Sequence, residues 1–209
     1  MIIQNIPFIS DKEEKYASCQ GPPTVMMVLK YFGIDISFSE LYKRRSYEKG
    51  KWFFEAYIVE LLDSFRIPCK YYSDVHIRKI GDDAQEFKRI SNLEFNQENK
   101  RILDIRHYDS SINFVLSKGF FEKTEIGMNF IIEQLKKNKL IIATIDRNRF
   151  TGKTGYKGHF ILVKGFDKEN VVCNDAYLGE NLQIPRDKFW DAFYCIEGKK
   201  KTHHMIVIG

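Results

Sequence analysis

The segment YASCQGPPTVMMVLKYFG, residues 16–33, constrains this chain more than any other. Pro22 and Pro23 stand side by side, and prolines suit only the first turn of a helix, where a missing N–H leaves no hydrogen bond unmade. Val25, Met26, Val28, Leu29 and Phe32 then recur at helical spacing, and Gly33 ends the run as a C′ residue does. A short buried helix is predicted, with Cys19 just ahead of its N-terminus. A thiol there faces unpaired N–H groups and the positive end of the helix dipole, and both favour thiolate. Cysteines near a helix start are more often inert core filler, so position alone does not make Cys19 a nucleophile.

A second segment, residues 158–175, supplies what a nucleophile needs. His159 opens an apolar run to Phe166 with the β-branched and aromatic content of a strand. Asp167, Lys168, Glu169 and Asn170 make a polar turn, and Val171 to Cys173 form a second strand. Such a hairpin brings His159 and the Asn174–Asp175 pair to one end of a sheet. A histidine oriented by a carboxylate or amide, beside a cysteine, is the arrangement that thiol-based acyl transfer requires. Parity decides which neighbour orients it. With Phe166 opposite Val171, an unbroken hairpin puts Asn174 on the His159 face, whereas one bulge puts Asp175 there.

Cys19 followed closely by Gly21-Pro22, the apolar helix ending in Tyr31-Phe32-Gly33, Gly158-His159-Phe160, the Gly165-Phe166-Asp167 turn and then Asn174-Asp175 together carry a resemblance. The chain resembles the papain-like cysteine peptidases of the bacteriocin-leader-processing (double-glycine) type and their stand-alone relatives. Residues 6–10 resemble that family's opening strand, and residues 184–193 its closing strand and helix. The resemblance covers both ends of the chain and fades between about Lys70 and Lys123.

The resemblance implies an α+β papain-like fold: a helical half carrying the cysteine helix, packed on an antiparallel sheet carrying His and Asp. It implies one domain over residues 1–209 and a triad of Cys19, His159 and Asp175, the Asn-Asp motif favouring Asp175 over Asn174. The activity implied is hydrolysis of a peptide or other amide bond through a thioester, with no metal or organic cofactor. Two other readings stand beside it: an acyltransferase with the same triad, and a catalytically degenerate binding module. A stand-alone relative without the transporter domain of the leader-processing enzymes is expected, so their substrate is not carried over.

The chain departs from the family at two positions. Asp11 stands about where the family carries an oxyanion-hole glutamine, and an ionised carboxylate cannot donate to an oxyanion. Gln20 is interposed where the family tends to have glycine directly after the cysteine. Gln20, Gln4 or a backbone N–H is left to build the hole, or the site is impaired.

Composition sets wider bounds. With 209 residues, 44% of them hydrophobic, the chain can bury one sizeable core, and a single domain follows. The net charge of +5 is spread, apart from Lys43-Arg44-Arg45 and Lys199-Lys200-Lys201, so no nucleic-acid partner is expected. No apolar run reaches the ~18 residues that span a bilayer, and the first residues lack a signal-peptide layout. Cys19, Cys69, Cys173 and Cys195 show no CxxC spacing, which fits free thiols in a reducing cytoplasm.

Elsewhere, Ser37 and Glu40 read as a capping box opening a short helix, and residues 52–65 as a longer helix. Residues 67–72 read as an edge strand, since Pro68 cannot donate to a ladder. Residues 73–120 are read as a family-specific insertion packed on the helical half, containing helical segments at 82–90 and 110–116 and a helix or strand at 101–108. His76 and His107 are read there as surface histidines. A helix at 127–136, a strand at 140–145, a loop at 146–158 and a terminal strand at 205–208 complete the chain. That loop leads into His159, which makes Arg147, Arg149 and Lys153 candidates for substrate contact. The His203–His204 pair lacks partners at metal-ligand spacing and is discounted as a metal site.

Overall fold

The computed structural model describes residues 1–10, 12, 21–44, 50–197 and 200–209. Asp11, Cys19 and Gln20 therefore lie outside the described residues. The predicted helix that follows Cys19 is α1 (Gly21–Tyr31), with both prolines in its first turn and every residue from Gly21 to Leu29 buried. Gly33 follows with φ 76°, a left-handed conformation that glycine adopts without a Cβ clash. Helix α2 (Phe38–Arg44) opens on the predicted capping box. Ser37 N donates to Glu40 Oε2 at 2.8 Å, and Glu40 N donates back to Ser37 Oγ at 3.2 Å. Helix α3 (Glu55–Ser64) begins later than the pattern from Trp52 suggests, because Phe54 is still extended, with φ −124° and ψ 161°.

The described residues hold nine strands. They are β1 (Cys69–Ser73), β2 (Phe121–Lys123), β3 (Leu140–Asp146), β4 (Gly158–Phe166), β5 (Asn170–Asp175), β6 (Gly179–Pro185), β7 (Cys195–Glu197), β8 (Lys200–Thr202) and β9 (His204–Ile208). β7 and β8 make a separate hairpin, and the other seven form one sheet in the order β2-β1-β9-β3-β4-β5-β6. Among the described residues only the β1–β2 pair is parallel.

Both faces of the sheet are covered, which explains why β3, β4 and β9 read as unbroken apolar runs instead of alternating ones. Leu140, Ile142, Phe160, Leu162, Ile206 and Ile208 join the core of α1 and α3. Ile141, Ala143, Ile145, Ile161, Val163, Met205 and Val207 join the other core, built with α7 (Met128–Lys136) and α9 (Arg186–Ala192). Alternate residues of each strand thus serve opposite cores, as the two-residue period requires.

Residues 73–120 hold α4 (Ala84–Ser91), α5 (Gln97–Leu103) and α6 (Ile105–Ser117), and α6 packs on α3. The ambiguous segment 101–108 is helical, broken where Asp104 takes φ 48° between α5 and α6. His107 is not a surface histidine. Its ring stacks on Tyr57 at 4.2 Å, and only 18% of the side chain is exposed.

Three further expectations are corrected. β1 is not an edge strand, since β2 covers its outer side; Pro68 precedes the ladder and accepts Gly209 N through its carbonyl at 3.0 Å. Residues 6–10 form no strand: Pro7 has no N–H to give to a ladder, and only Ile2 pairs, with Gly165. The loop at 146–158 contains a short helix, α8 (Arg147–Thr151), started by the Asp146 side chain, which accepts Asn148 N at 3.0 Å. Among the described residues no helix is long and apolar enough to cross a membrane.

Candidate active site

His159 is the second residue of β4 and Asp175 the last of β5, so both stand at one end of the hairpin. Nε2 of His159 lies 2.9 Å from Oδ2 of Asp175, and neither side chain is exposed. The register produces this meeting. Phe166 opposes Val171 and Gly165 opposes Val172, but the next pairs are Val163–Cys173 and Leu162–Asn174. Lys164 is the extra residue. Beyond it Asp175 shares the face of His159, whereas an unbroken ladder would have given that face to Asn174.

The bulge is held from outside the hairpin. Ile2 bridges Gly165, and Ile3 N donates to Lys164 O at 2.9 Å. A Cβ on Gly165 would lie 2.6 Å from Met1 O and 2.7 Å from Ile2 Cα, so only glycine admits this approach. Lys164 turns its Nζ onto Asn181 Oδ1 at 2.6 Å.

Asp175 is fixed from both sides. Its Oδ1 accepts Tyr177 N at 2.8 Å and Leu178 N at 3.1 Å, and its Oδ2 faces the imidazole. An ionised carboxylate only accepts, so a neutral imidazole that donates to it does so through Nε2–H and keeps its lone pair on Nδ1. Nδ1 is buried and has no hydrogen-bond partner among the described residues. A lone pair in that position is free to take a thiol proton. Asn174 is fully buried on the opposite face, where its Oδ1 accepts Asn181 N at 3.0 Å.

The cysteines that the structure describes are free and chemically quiet. Burial first, then the charge of Asp63, pushes the Cys69 thiol up to about 12. Burial pushes Cys173 and Cys195 up as well, with Asp175 and Glu55 the next causes respectively. None of these three is poised as thiolate.

The candidate contact residues separate. Arg149 Nε is paired to Asp191 Oδ2 at 2.8 Å, while the Arg147 guanidinium lies 4.4 Å over the Tyr177 ring and Lys153 is exposed. His203 Nδ1 lies 2.8 Å from Asp74 Oδ2, and His204 Nδ1 lies 2.6 Å from Tyr71 OH. These are packing contacts, and among the described residues no cluster of His, Cys, Asp or Glu is arranged to hold a metal.

Two features had no signal in the sequence. One is the pair of N–H groups of Tyr177 and Leu178 that grips Asp175. The other is Phe53, which lies against the start of α1: a Cβ on Gly21 would be 2.1 Å from Phe53 Cδ1.

An apolar helix packed on a mostly antiparallel sheet, with His and Asp meeting at the end of one hairpin, is the α+β architecture of the papain-like cysteine peptidases. The chain belongs to the Peptidase_C39 like family, whose profile matches residues 3–201. A protein from Bacillus anthracis, described as a C39-like peptidase, has the same fold: TM-score 0.58 at 12% identity, covering 100% of this chain and 96% of that one. A double glycine motif protease from an AMS/PCAT transporter, solved with its leader peptide, aligns at TM-score 0.49 and 13% identity over 98% of this chain and 91% of that one. The peptidase domain of Streptococcus ComA, a bi-functional ABC transporter, aligns at TM-score 0.49 and 10% identity over 98% of each. No curated protein matches the sequence.

Proposed function

We propose that this protein is a cysteine peptidase that cuts a peptide or other amide bond through Cys19, His159 and Asp175. The observation that carries the reading is the buried His159–Asp175 contact at 2.9 Å, which leaves Nδ1 unpartnered among the described residues. Cys19 lies two residues ahead of Gly21, the first residue of α1, where the helix dipole favours thiolate.

Catalysis by this triad runs in two half-reactions, acylation and deacylation. Nδ1 of His159 takes the thiol proton, and the Cys19 sulfur attacks the carbonyl carbon. Backbone N–H of Cys19, with Gln20, stabilises the oxyanion. As the C–N bond breaks, the imidazolium returns its proton to the leaving amine and a thioester remains. Water then attacks the thioester, His159 again takes and returns the proton, and the thiol is restored. Asp175 keeps Nε2 protonated and stabilises the imidazolium. Free thiols at Cys69, Cys173 and Cys195 support a cytoplasmic setting.

Alkylation tests the reading directly. Iodoacetamide at neutral pH, followed by peptide mapping, should label Cys19 first and leave Cys69, Cys173 and Cys195 unmodified in the folded protein. Cys19→Ala should abolish cleavage of a mixed peptide library while keeping the fold. Equal labelling of all four cysteines, or cleavage by the Cys19→Ala protein, would overturn the proposal.

A further inference from the structure

Three cationic residues, Arg147, Lys153 and Lys157, lie on α8 and the segment that leads from it into β4 and His159. Arg147 begins α8, and its backbone N–H donates to Lys157 O at 2.9 Å, which ties the start of that helix to the residues entering β4. Gly152, at φ 73°, ends α8 and turns the chain back. Lys153 N then donates to Asn148 O at 2.8 Å, and Asn148 Nδ2 donates to Thr154 O at 2.9 Å. The fold thus draws Arg147, Lys153 and Lys157 together. The Lys157 ammonium is held below the ordinary lysine range by desolvation and then by the charges of Arg147 and Lys153.

Among the described residues the neighbouring carboxylates are already engaged. Asp146 Oδ1 accepts Asn148 N and Lys157 N, both at 3.0 Å, and its Oδ2 accepts Tyr194 OH at 2.7 Å. Asp175 is committed to His159 and two backbone N–H groups. Asp191 pairs with Arg149. Among the described residues Arg147, Lys153 and Lys157 make no ion pair with any carboxylate. The guanidinium of Arg147 stacks instead on the ring of Tyr177, a residue 50% exposed whose backbone N–H holds Asp175. Tyr177 thus connects the Arg147 cation, through its ring, to Asp175, through its backbone N–H.

We propose that Arg147, Lys153 and Lys157, with the Tyr177 ring, form a substrate subsite that selects peptides carrying an Asp or Glu side chain just beyond the scissile bond, on the leaving-amine side. The inference rests on the peptidase reading above. His159 protonates the leaving amine in that reading, so groups that flank the imidazole border the leaving half of the peptide. A carboxylate there meets the planar fork of Arg147, which suits bidentate pairing, and the two point charges of the lysines. Among the described residues no carboxylate has to be displaced from these cations first.

The test is a set of otherwise identical peptides with Glu, Gln or Lys at each of the first positions on the leaving side, and separately on the acyl side. Leaving-side Glu should exceed Lys in kcat/KM by about tenfold, the scale of a few part-exposed charge contacts, and the ratio should shrink at high salt. Lys153→Gln, on the exposed loop, and Arg147→Gln should each move the Glu-to-Lys ratio toward one; Arg149→Gln should not. Binding of the same labelled peptides to Cys19→Ala protein separates the two ideas. Cleavage without charge discrimination, or discrimination confined to the acyl side, overturns the subsite and leaves the peptidase reading standing. Charge-selective binding with no turnover by the unmodified protein overturns the peptidase reading and leaves the subsite.

Discussion

His159 and Asp175 face each other across β4 and β5 because Lys164, between them and the turn, has no partner on the opposite strand. One extra residue moves a carboxylate, in place of an amide, onto the face of the imidazole. The residues that stabilise this bulge belong to neither strand, since Ile2 and Ile3 hold Gly165 and Lys164 from the side. The catalytic geometry proposed here depends on the N-terminal residues of the described chain as much as on the hairpin.

Asp175→Asn should lower kcat by roughly 10²-fold or more, given what loss of the orienting carboxylate costs in other triads. An amide has a single oxygen for two sets of donors, the Nε2–H of His159 on one side and the N–H groups of Tyr177 and Leu178 on the other. Whichever it serves, the imidazolium loses its counter-charge. Asn174→Ala should act differently, because that buried amide accepts Asn181 N on the far face. It should lower stability by about 1–3 kcal/mol and leave kcat of the folded fraction close to that of the unmodified protein. Steady-state kinetics with urea denaturation of both variants checks the ranking; the reverse order reassigns the orienting role to Asn174.

Gly21→Ala should destabilise the start of α1. The added Cβ would meet Phe53 Cδ1 at 2.1 Å, and Phe53 is itself buried and stacked edge-on against Tyr57 at 6.0 Å. Overpacking of this kind costs about 1–3 kcal/mol, and at two residues from Cys19 it should lower kcat as well. Phe53→Leu should relieve the Gly21→Ala defect in the double variant, measured as recovery of melting temperature. Strictly additive losses would show that the two residues do not compete for the same space.

Local chemistry was what the sequence displayed most clearly. Pro22-Pro23 marked the start of α1, the Ser37–Glu40 pair marked α2, and the polar turn at Asp167 marked the β4–β5 hairpin. That turn is self-contained, for Asp167 Oδ1 accepts Glu169 N at 2.8 Å and Asn170 N at 2.7 Å. What stayed illegible depends on residues distant in sequence. The bulge at Lys164 needs Ile2 and Ile3, the interior place of β1 needs β2, and the Gly21 contact needs Phe53. The helix α8, at five residues, is too short to show a period. His107 looked like surface because its neighbours are charged, yet its partner Tyr57 comes from α3.

Asp11→Gln should raise turnover. The resemblance places residue 11 where related peptidases carry an oxyanion-hole glutamine, and a negative charge near a developing oxyanion opposes the transition state. Replacing it with a donor should increase kcat by about 10-fold or more, a part of what one such donor supplies elsewhere. KM should change little, because the contact strengthens in the transition state. No change in kcat, together with loss of activity in Gln20→Ala, would show that residue 11 takes no part in a hole built by Cys19 N–H and Gln20.

Stability should decline as pH rises above about 9, and the sign follows from the buried thiols. In the unfolded chain a cysteine ionises near its ordinary value of about 8.5, whereas folding pushes Cys69 up to about 12 and raises Cys173 and Cys195 too. The folded state therefore holds protons that the unfolded state releases, so the stabilisation is complete below the unfolded value and is lost as pH climbs toward the folded one. Tyr57, Tyr71, Tyr108 and Tyr156, all raised chiefly by burial, extend the loss from about pH 10. Lys157 and Lys164 work in the opposite sense, since desolvation lowers both pKa values and the penalty fades as each ammonium loses its proton; two lysines against these seven raised groups leave the sign unchanged. Melting temperature measured between about pH 7 and pH 11 should stay higher at the neutral end, and Cys69→Ala should flatten the slope above pH 9 even where it lowers stability at neutrality. An unaltered slope in that variant would mean that the Cys69 thiol ionises as readily in the folded protein as in the unfolded chain.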